Sequence, residues 1–490
     1  MGCFSSKKPV ADETSRVQTK ISDAEDLKVT PSTFIQLNSR SFQDVYRVGN
    51  RLGAGSFAEV RRCEHKVTGQ IRAVKIYRKE KVSTAELQVL MHESNILKHF
   101  DHPNIVRIYE MFEDDKRYYI VMEHCKGGEL FYSISNGGNF TEVQAAHILH
   151  QLLSVVAYIH DLRIVHRDLK PENILLEDKG TSYDVKVVDF GAAARLGPSG
   201  RLSGTIGTSY YIAPEVISGS YNEKCDEWSC GVIMYILLTG KPPFAGSDDK
   251  EILEKVRMGV YSMDIPEMQN VSKEAVALIR KLLCPAGARF TAKQALVHPW
   301  IQTMSVHEFS HSNVSAMSDV LANLKSFTQG KKLKEAVQTF IATQLLSTQE
   351  TKELREVFRE IDKNGDGKLS RQELLDEYMK TMDQETAEAE VNQVMARVDT
   401  DHSGFIDYTE FLRASLDMKK VLNANNLEMA FSMIDSDGSG KISAAELQKL
   451  LGSESLCDDQ VWKQIIGQVD QNGDGEIDLK EFKDIVLASI

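Results

Sequence analysis

The stretch Asp362-Lys-Asn-Gly-Asp-Gly-Lys-Leu-Ser-Arg-Gln-Glu373 places oxygen-bearing side chains at positions 1, 3, 5 and 12 of a twelve-residue loop. The glycine at position 6 permits a sharp turn, and the glutamate at position 12 can bind a cation through both of its oxygens. The same pattern starts again at Asp399, Asp435 and Asp470. Because the pattern specifies ligand, turn and spacing together, its fourfold recurrence predicts four calcium sites.

The loops repeat every 37, 36 and 35 residues, which is the length of one helix–loop–helix unit, the EF-hand. Position 7 supplies a backbone carbonyl, and the apolar residue at position 8 predicts a short β bridge between paired loops. One loop could still be a degenerate hand without metal. The predicted ligands are Asp362, Asn364, Asp366, Lys368 and Glu373; Asp399, Asp401, Ser403, Phe405 and Glu410; Asp435, Asp437, Ser439, Lys441 and Glu446; and Asp470, Asn472, Asp474, Glu476 and Glu481.

Composition indicates a globular chain of about three domains. From Ser347 onward there are 31 acidic and 16 basic residues, a net charge of −15, whereas the whole chain carries −13. The acidity therefore belongs to the loops and does not favour nucleic-acid binding. No run of 18 apolar residues predicts a membrane-spanning helix, no secretory signal is recognisable, and seven cysteines without metal-ligand spacing predict free thiols in a reducing, cytoplasmic compartment.

Hydrophobic periodicity divides the chain into four parts. Residues 1–43 are polar and aperiodic, which predicts disorder. Residues 44–301 change from short strands to long helices at Gly128, residues 302–346 form a junction, and residues 347–490 carry the repeats. The predicted elements of the second part are strands at Tyr46–Leu52, Val60–Glu64, Ile71–Tyr77 and Tyr118–Glu123, and helices at Ala85–Phe100, Val143–His160 and Asp226–Leu238.

Five motifs follow one another in the second part. They are Gly53-Ala-Gly-Ser-Phe-Ala-Glu-Val60, Ala73-Val-Lys75, His166-Arg-Asp-Leu-Lys-Pro-Glu-Asn173, Asp189-Phe-Gly191 and Ala213-Pro-Glu215. Glycines in the first motif let the backbone approach phosphates, and Lys75 supplies an ammonium that Glu93 can hold by an ion pair. In this order the motifs resemble the protein-kinase family, and the loops behind them narrow the resemblance to the calcium-dependent protein kinases.

The resemblance implies an α+β fold, a bilobal kinase followed by an all-α domain of four EF-hands. It implies ATP and Mg²⁺ as cofactors, with Asp168 orienting the substrate hydroxyl, Lys170 neutralising the transferred phosphate, and Asn173 and Asp189 holding Mg²⁺. It also implies architectural roles for Asp226 and for the pair Glu215 and Arg289. The nucleotide-binding residues that it implies are Leu52, Gly53, Ala54, Gly55, Ser56, Phe57, Val60, Ala73, Lys75, Glu93, Glu123, Cys125, Glu129 and Asp189.

The family assignment predicts a calcium-activated serine/threonine kinase that prefers Arg three residues before the target, because Glu129 supplies nearby acid. One alternative is a calcium-sensing scaffold whose kinase fold only binds nucleotide, which the presence of Lys75, Asp168 and Asp189 disfavours. Another is control by separate calmodulin, which the fused loops make unnecessary.

The segment Arg195–Tyr211 contains no Asp or Glu, which favours phosphorylation at Ser203 or Thr205.

The junction carries apolar residues near helical spacing with lysines around them. Such a helix suits the groove that calcium opens in an EF-hand pair, and the family resemblance implies an autoinhibitory segment; a solvated helix face is the alternative. The apolar positions are Leu321, Leu324, Leu333, Ala336, Val337 and Phe340.

The phosphate loop departs from the family pattern at Ala58, which stands where a third glycine is usual.

The N-terminus, Met1-Gly-Cys-Phe-Ser-Ser6, fits a myristoylation motif at Gly2 with a neighbouring cysteine, Cys3, that can be palmitoylated. Two lipids anchor a protein stably where one does not. The prediction is therefore a cytoplasmic, membrane-associated monomer, and the alternative is an ordinary disordered start.

Overall fold

The computed structural model describes residues 30–35, 37–38, 40–54, 58–81, 83–135, 140–180, 182–304, 314–327, 332–346, 350–450 and 459–487. They form a strand-rich small lobe, a helical large lobe and a helical domain of two EF-hand pairs. The predicted α+β class, a bilobal kinase followed by EF-hands, is confirmed.

The small lobe is a five-stranded antiparallel sheet in the order β1-β2-β3-β5-β4. Alternate residues of β3 face opposite sides, so Val74 and Ile76 pack with Phe42 while Lys75 points toward helix α2. The elements are β1 (Tyr46–Ala54), β2 (Ala58–His65), β3 (Ile71–Arg78), β4 (Ile108–Glu113), β5 (Arg117–Met122), α1 (Phe42–Val45) and α2 (Thr84–Leu97).

The large lobe is built around two nearly buried helices, α4 and α6. A capping box between Thr141 and Gln144 begins α4, and Gly240, with φ of 70°, ends α6 in the left-handed conformation that favours glycine. The helices are α3 (Leu130–Ser135), α4 (Glu142–Asp161), α5 (Pro214–Ile217), α6 (Cys225–Thr239), α7 (Asp249–Met258), α8 (Lys273–Leu282), α9 (Ala292–Leu296) and α10 (Pro299–Met304).

Short strands join these helices and carry the candidate site. β6, β8 and β9 form one small sheet, whereas β7 pairs with β10 and β11 with β12. The strands are β6 (Gly128–Glu129), β7 (Ile164–Val165), β8 (Ile174–Leu176), β9 (Val185–Val187), β10 (Ala194–Arg195), β11 (Leu202–Ser203) and β12 (Ser220–Tyr221).

Each predicted calcium loop lies between two helices. Leu369 lies opposite Ile406 and Ile442 opposite Ile477, so both predicted β bridges are present. The strands are β13 (Leu369–Ser370), β14 (Phe405–Ile406), β15 (Lys441–Ile442) and β16 (Ile477–Asp478). The helices are α13 (Lys352–Ile361), α14 (Arg371–Tyr378), α15 (Gln384–Val398), α16 (Tyr408–Ser415), α17 (Met418–Val421), α18 (Ala424–Ile434), α19 (Ala444–Leu450), α20 (Asp459–Gly467) and α21 (Leu479–Leu487).

The junction contributes one helix to each EF-hand pair. Helix α11 (Val314–Ser326) packs into the core of the N-terminal pair, and α12 (Lys332–Phe340) into the core of the C-terminal pair. A π-helical turn, Ile341–Leu345, continues α12. All six apolar positions predicted for the junction are buried, and so are the polar side chains of α12, among them Lys334, Glu335 and Gln338.

Part of the stretch predicted to be disordered forms regular structure. A 3₁₀ helix spans Pro31–Phe34, and α1 begins at Phe42. Phe34, Ile35 and Phe42 are buried, and these isolated apolar side chains anchor a polar segment that has no periodicity to reveal them. Among the described helices, none is long and apolar enough to cross a bilayer.

Candidate active site and calcium loops

Lys75 and Glu93 form the predicted ion pair, with the Nζ of Lys75 3.2 Å from Oε1 of Glu93. Both side chains are largely buried. Burial disfavours the ammonium, but Glu93, Tyr77 and Asp189 outweigh it and raise the pKa of Lys75. Lys75 therefore stays charged beside Asp189, where it can meet phosphate oxygens.

Asp168 and Lys170 lie together in the loop between β7 and β8. The Nζ of Lys170 donates to Asp168 Oδ2 at 2.7 Å and to the hydroxyl of Thr208 at 2.9 Å. Thr208 in turn donates to Asp168 Oδ1 at 2.9 Å, and the amide of Asn173 donates to the backbone oxygen of Asp168 at 2.9 Å. These bonds hold one carboxylate and one ammonium at a common point in the cleft.

Thr208 is a member of the site that the sequence analysis did not assign. Its contacts with both Asp168 and Lys170 tie the segment Arg195–Tyr211 to the catalytic loop between β7 and β8. The sequence does carry a signal for it, since Thr208 lies in the string Gly207-Thr-Ser-Tyr-Tyr-Ile-Ala-Pro-Glu215, which resembles the protein-kinase family.

The predicted architectural residues have the expected contacts. Buried Asp226 accepts hydrogen bonds from the backbone N–H groups of His166 at 2.8 Å and Arg167 at 2.9 Å. These bonds stabilise the catalytic loop where Arg167 has a positive φ of 69°. Arg289 pairs with Glu215 through its two terminal guanidinium nitrogens, Nη1 and Nη2.

Arg167 donates to neutral partners on either side of the segment Arg195–Tyr211. Its Nε donates to the backbone oxygen of Ala192 at 2.6 Å and its Nη1 lies 3.3 Å from the hydroxyl of Tyr221. Tyr221 lies opposite Leu202 in the β11–β12 pair, next to exposed Ser203. Phosphorylation at Ser203 or Thr205 stays a prediction.

Asp189 and Asn173 lie at the same end of the antiparallel β8–β9 pair, where Ile174 is opposite Val187. Asn173 immediately precedes β8, and Asp189 follows β9 by two residues with φ of 62°. Phe190 is fully buried against Phe100 and His166, which fixes the backbone that carries Asp189. A carboxylate and an amide oxygen on one rigid hairpin suit Mg²⁺, which prefers oxygen ligands.

The remaining predicted nucleotide residues border this cleft. Leu52, Gly53 and Ala54 lie on β1, Val60 on β2 and Ala73 on β3. Gly55, Ser56 and Phe57 lie outside the described residues.

At the hinge, the Glu123 side chain lies 3.0 Å from buried Lys186, so only its backbone is suited to adenine. Burial raises the pKa of Cys125 well above its ordinary value, which keeps this hinge thiol neutral.

Glu129 and Glu172 form an acidic pair. Burial, together with neighbouring Glu172, raises the pKa of Glu129. One oxygen of Glu172 lacks a hydrogen-bond partner among the described residues. Two acids next to one another favour a basic ligand.

The calcium loops have converging oxygens. In the second loop, Asp399, Asp401 and Glu410 bring carboxylate oxygens within 4.8 Å of one another, and Asp435, Asp437 and Glu446 do so in the third. The first and fourth loops have asparagine at position 3, Asn364 and Asn472, so they contribute one charge fewer there. Four occupied sites stay a prediction.

The second and third loops also bring the position-7 carbonyl to the ligand set. The hydroxyl of Ser403 lies 3.1 Å from the carbonyl oxygen of Phe405, and Ser439 lies 3.0 Å from that of Lys441. In the first loop, burial and the neighbouring Asp366 and Glu373 raise the pKa of Asp362. These arrangements fit a divalent cation with oxygen ligands.

The EF-hand domain packs directly behind the hinge, which the sequence did not indicate. Arg355 of α13 forms a bidentate pair with Glu177, and Arg359 binds Asp184 at 2.7 Å. Lys186, on β9, lies 3.0 Å from Glu123 and 3.6 Å from Glu177. This buried charge network connects the first EF-hand helix to the strands that carry the two Mg²⁺ candidates.

A second contact joins the loop after α2 to the second EF-hand. Asp101 accepts from the backbone N–H of Thr409 at 2.9 Å and from its hydroxyl at 2.8 Å. Thr409 directly precedes Glu410, the position-12 residue of the second loop. The kinase therefore contacts the second EF-hand where the calcium loop continues into α16.

Comparison with known proteins agrees with both halves of the chain. The protein kinase domain model matches residues 46–301, and the EF-hand domain pair model matches residues 351–416 and 424–487. Calcium-dependent protein kinase 4 of Plasmodium berghei (strain Anka) and of Plasmodium falciparum (isolate 3D7) are each 42% identical over 473 residues, covering 94% of this chain and 89% of the relative. Calcium-dependent protein kinase 5 of Plasmodium falciparum is 38% identical over 91% of this chain and 79% of the relative. The chain thus belongs to the calcium-dependent protein kinase family.

Proposed function

We propose that this calcium-activated serine/threonine kinase transfers the γ-phosphate of ATP to Ser or Thr in basic motifs of its protein substrates. Asp168 and Lys170 are the central catalytic residues in this proposal. The cluster of Asp168, Lys170 and Thr208 carries this proposal. Asp168 orients the attacking hydroxyl, and Lys170 offsets charge on the transferred group. Mg²⁺, when bound, neutralises the phosphate oxygens, and Asn173 and Asp189 would hold it.

The proposal of an active kinase is favoured over a nucleotide-binding scaffold. Lys75, Asp168 and Asp189 are all present, and Lys75 has its partner Glu93 at 3.2 Å. A scaffold needs the pocket but not the contact between Asp168 and Lys170. Phosphate transfer depends on such positioned charges because the reaction requires little covalent chemistry from the protein.

Substrate preference provides the first test. We expect peptides with Arg three residues before Ser or Thr to be enriched in a peptide array, because Glu129 and Glu172 form an acidic pair. Glu129→Gln should reduce that preference by about tenfold, the value of one partly exposed charge-assisted hydrogen bond. Glu254→Gln, an acid on α7 in the same lobe, is the matched control. An array without enrichment at −3 would contradict the proposal.

Calcium control is proposed to act through the junction, residues 302–346. Without calcium the EF-hand grooves close, and α11 and α12 lose the cores in which they are buried. The released amphipathic segment then inhibits the kinase. A 10⁴-fold population shift needs about 5.5 kcal/mol, or roughly 1.4 kcal/mol for each of four sites, which is a tenfold affinity difference.

Truncation after Thr303 tests autoinhibition. The shortened kinase should phosphorylate peptide at equal rates in calcium and in chelator, because it lacks the inhibitory segment. Thermal unfolding and ATP binding must first establish that it is folded. A folded, ATP-binding but inactive truncation would mean that the EF-hand domain activates directly instead of relieving a block.

Membrane association is proposed from the N-terminal motif, whose Gly2 and Cys3 lie outside the described residues. Acylation at both residues would give stable anchoring of a monomeric kinase at a membrane surface.

A further inference from the structure

A segment that precedes the kinase domain lies between the small lobe and the C-terminal EF-hand pair. We call residues 30–35, 37 and 38 the N-terminal strap. Its two consecutive apolar side chains enter different cores: Phe34 joins the core of the C-terminal EF-hand pair, and Ile35 joins that of the kinase. Their exposed fractions are 8% and 6%. The strap therefore connects two domains, the kinase at residues 46–301 and the EF-hand pair at residues 424–487, that are not adjacent in the sequence.

Phe34 touches the helix that fills the EF-hand groove. Its ring packs edge-on against Phe340 of α12 with the centroids 5.4 Å apart. Such an aromatic pair contributes beyond the area that it buries. Phe34 and Phe340 also line a cleft of about 110 Å³ together with Ser436 and Glu446 of the third calcium loop. The strap thus lies beside the groove and beside a calcium loop.

Polar contacts fix the other end of the strap on the small lobe. The backbone N–H of Asn38 donates to the carbonyl of Met111 at 2.7 Å, and its side chain donates to Glu110 at 3.1 Å. Leu37 pairs with Met111 in a parallel β bridge, while its side chain is 55% exposed. The strap is therefore hydrogen-bonded to β4 along its backbone.

The same face of the small lobe binds the end of the junction. Arg72, buried on β3, donates to the backbone oxygen of Gln344 at 2.7 Å, and Gln70 donates to that of Leu345. Arg72 also packs on the ring of Tyr109, 3.9 Å from its centroid. α12 with its π-helical turn is consequently held at Phe340 by the strap and at Gln344 by β3.

We propose that the C-terminal EF-hand pair binds two segments of its own chain in calcium, α12 and the N-terminal strap, with Phe34 as the anchor of the strap. Calcium opens the groove of a sensor pair and exposes its apolar floor. Because linkage is reciprocal, strap docking must raise the calcium affinity of loops three and four by the factor by which calcium favours docking. The inference rests on calcium binding by those two loops, which is part of the proposed function.

Hydrogen exchange of the full-length chain across a series of free calcium concentrations tests the inference. In the wild type, amides of the strap and of the C-terminal pair should become protected at the same calcium concentration. Phe34→Ala should leave the strap unprotected and shift the midpoint of the C-terminal pair to about five- to tenfold higher calcium, the lower range of allosteric coupling. Leu37→Ala, with its exposed side chain, is the control and should titrate as the wild type.

The variant Ile35→Ala tests whether Ile35 holds the strap on the kinase or is only an ordinary residue of the kinase core. It removes the kinase anchor without touching the EF-hand core, so it should also raise the calcium midpoint of the C-terminal pair. The inference is overturned if strap amides are equally protected in chelator, if Phe34→Ala titrates like Leu37→Ala, or if Ile35→Ala leaves the midpoint unchanged. A wild-type pair without any calcium transition would instead refute calcium binding by loops three and four, and the strap with it.

Discussion

Replacing Asp168 by asparagine is expected to lower kcat for peptide phosphorylation by a factor of about 10²–10⁴ in saturating calcium, the range for a positioned acid–base group. The amide keeps the shape of the side chain but loses the negative charge that attracts the hydroxyl proton. It also leaves Lys170, now 2.7 Å from that carboxylate, without its anionic partner. The measurement is the steady-state rate with ATP, Mg²⁺ and a peptide with Arg at −3.

Asp161→Asn is the matched control for this substitution. Asp161 ends α4 in the same lobe, and its side chain is 46% exposed and pairs with Lys293 at the surface. Its loss should change kcat little, since exposed ion pairs contribute under about 1 kcal/mol. An Asp168→Asn kinase that keeps most of the control's activity would remove Asp168 from the mechanism.

Replacing Arg355 by alanine is expected to abolish most of the calcium activation. The Arg355 side chain is only 2% exposed and forms the bidentate pair with Glu177. Its removal leaves buried Glu177 with only the more distant Lys186, 3.6 Å away, as a cationic partner. Breaking such a pair costs about 3–5 kcal/mol, which lowers the docking equilibrium of the EF-hand domain more than a hundredfold. An undocked domain no longer keeps the junction away from the catalytic lobe, so inhibition returns even in calcium.

Peptide phosphorylation across a calcium series measures this effect. Arg371→Ala provides the control, because Arg371 is an exposed arginine of the same EF-hand pair that contacts Asn392. The double variant Arg355→Met with Glu177→Leu should recover part of the calcium response, since neither charge then remains unpaired. If Arg355→Ala responds to calcium as Arg371→Ala does, the buried network does not couple calcium to activity.

Local sequence patterns were sufficient to predict many of the helices and strands and the chemical groups of the candidate site. The EF-hand loops follow from ligand spacing, and their β bridges from the apolar residue at position 8. Lys75, Glu93 and Asp168 could be assigned because each motif fixes side chains on one turn or strand, and the Lys75–Glu93 pair is present at 3.2 Å. The four strands and three helices predicted for the kinase portion agree with the observed elements within a few residues, whereas β4 was not predicted.

Contacts between domains could not be predicted in this way. Arg355 and Glu177 are 178 residues apart, and nothing in the period of either element shows that their surfaces meet. Phe34 and Ile35 are two apolar residues in a polar stretch, too few to form a pattern. Their burial depends on two preformed cores, so it is a property of the assembled fold.

The central claim is that calcium binding by the EF-hand domain controls phosphate transfer by the kinase. The most direct measurement is the rate of peptide phosphorylation by the purified full-length chain with ATP and Mg²⁺, in calcium and in chelator. The account predicts a rate at least about tenfold higher in calcium, well within the 10⁴-fold shift that four sites can support. Equal rates in calcium and in chelator would contradict it.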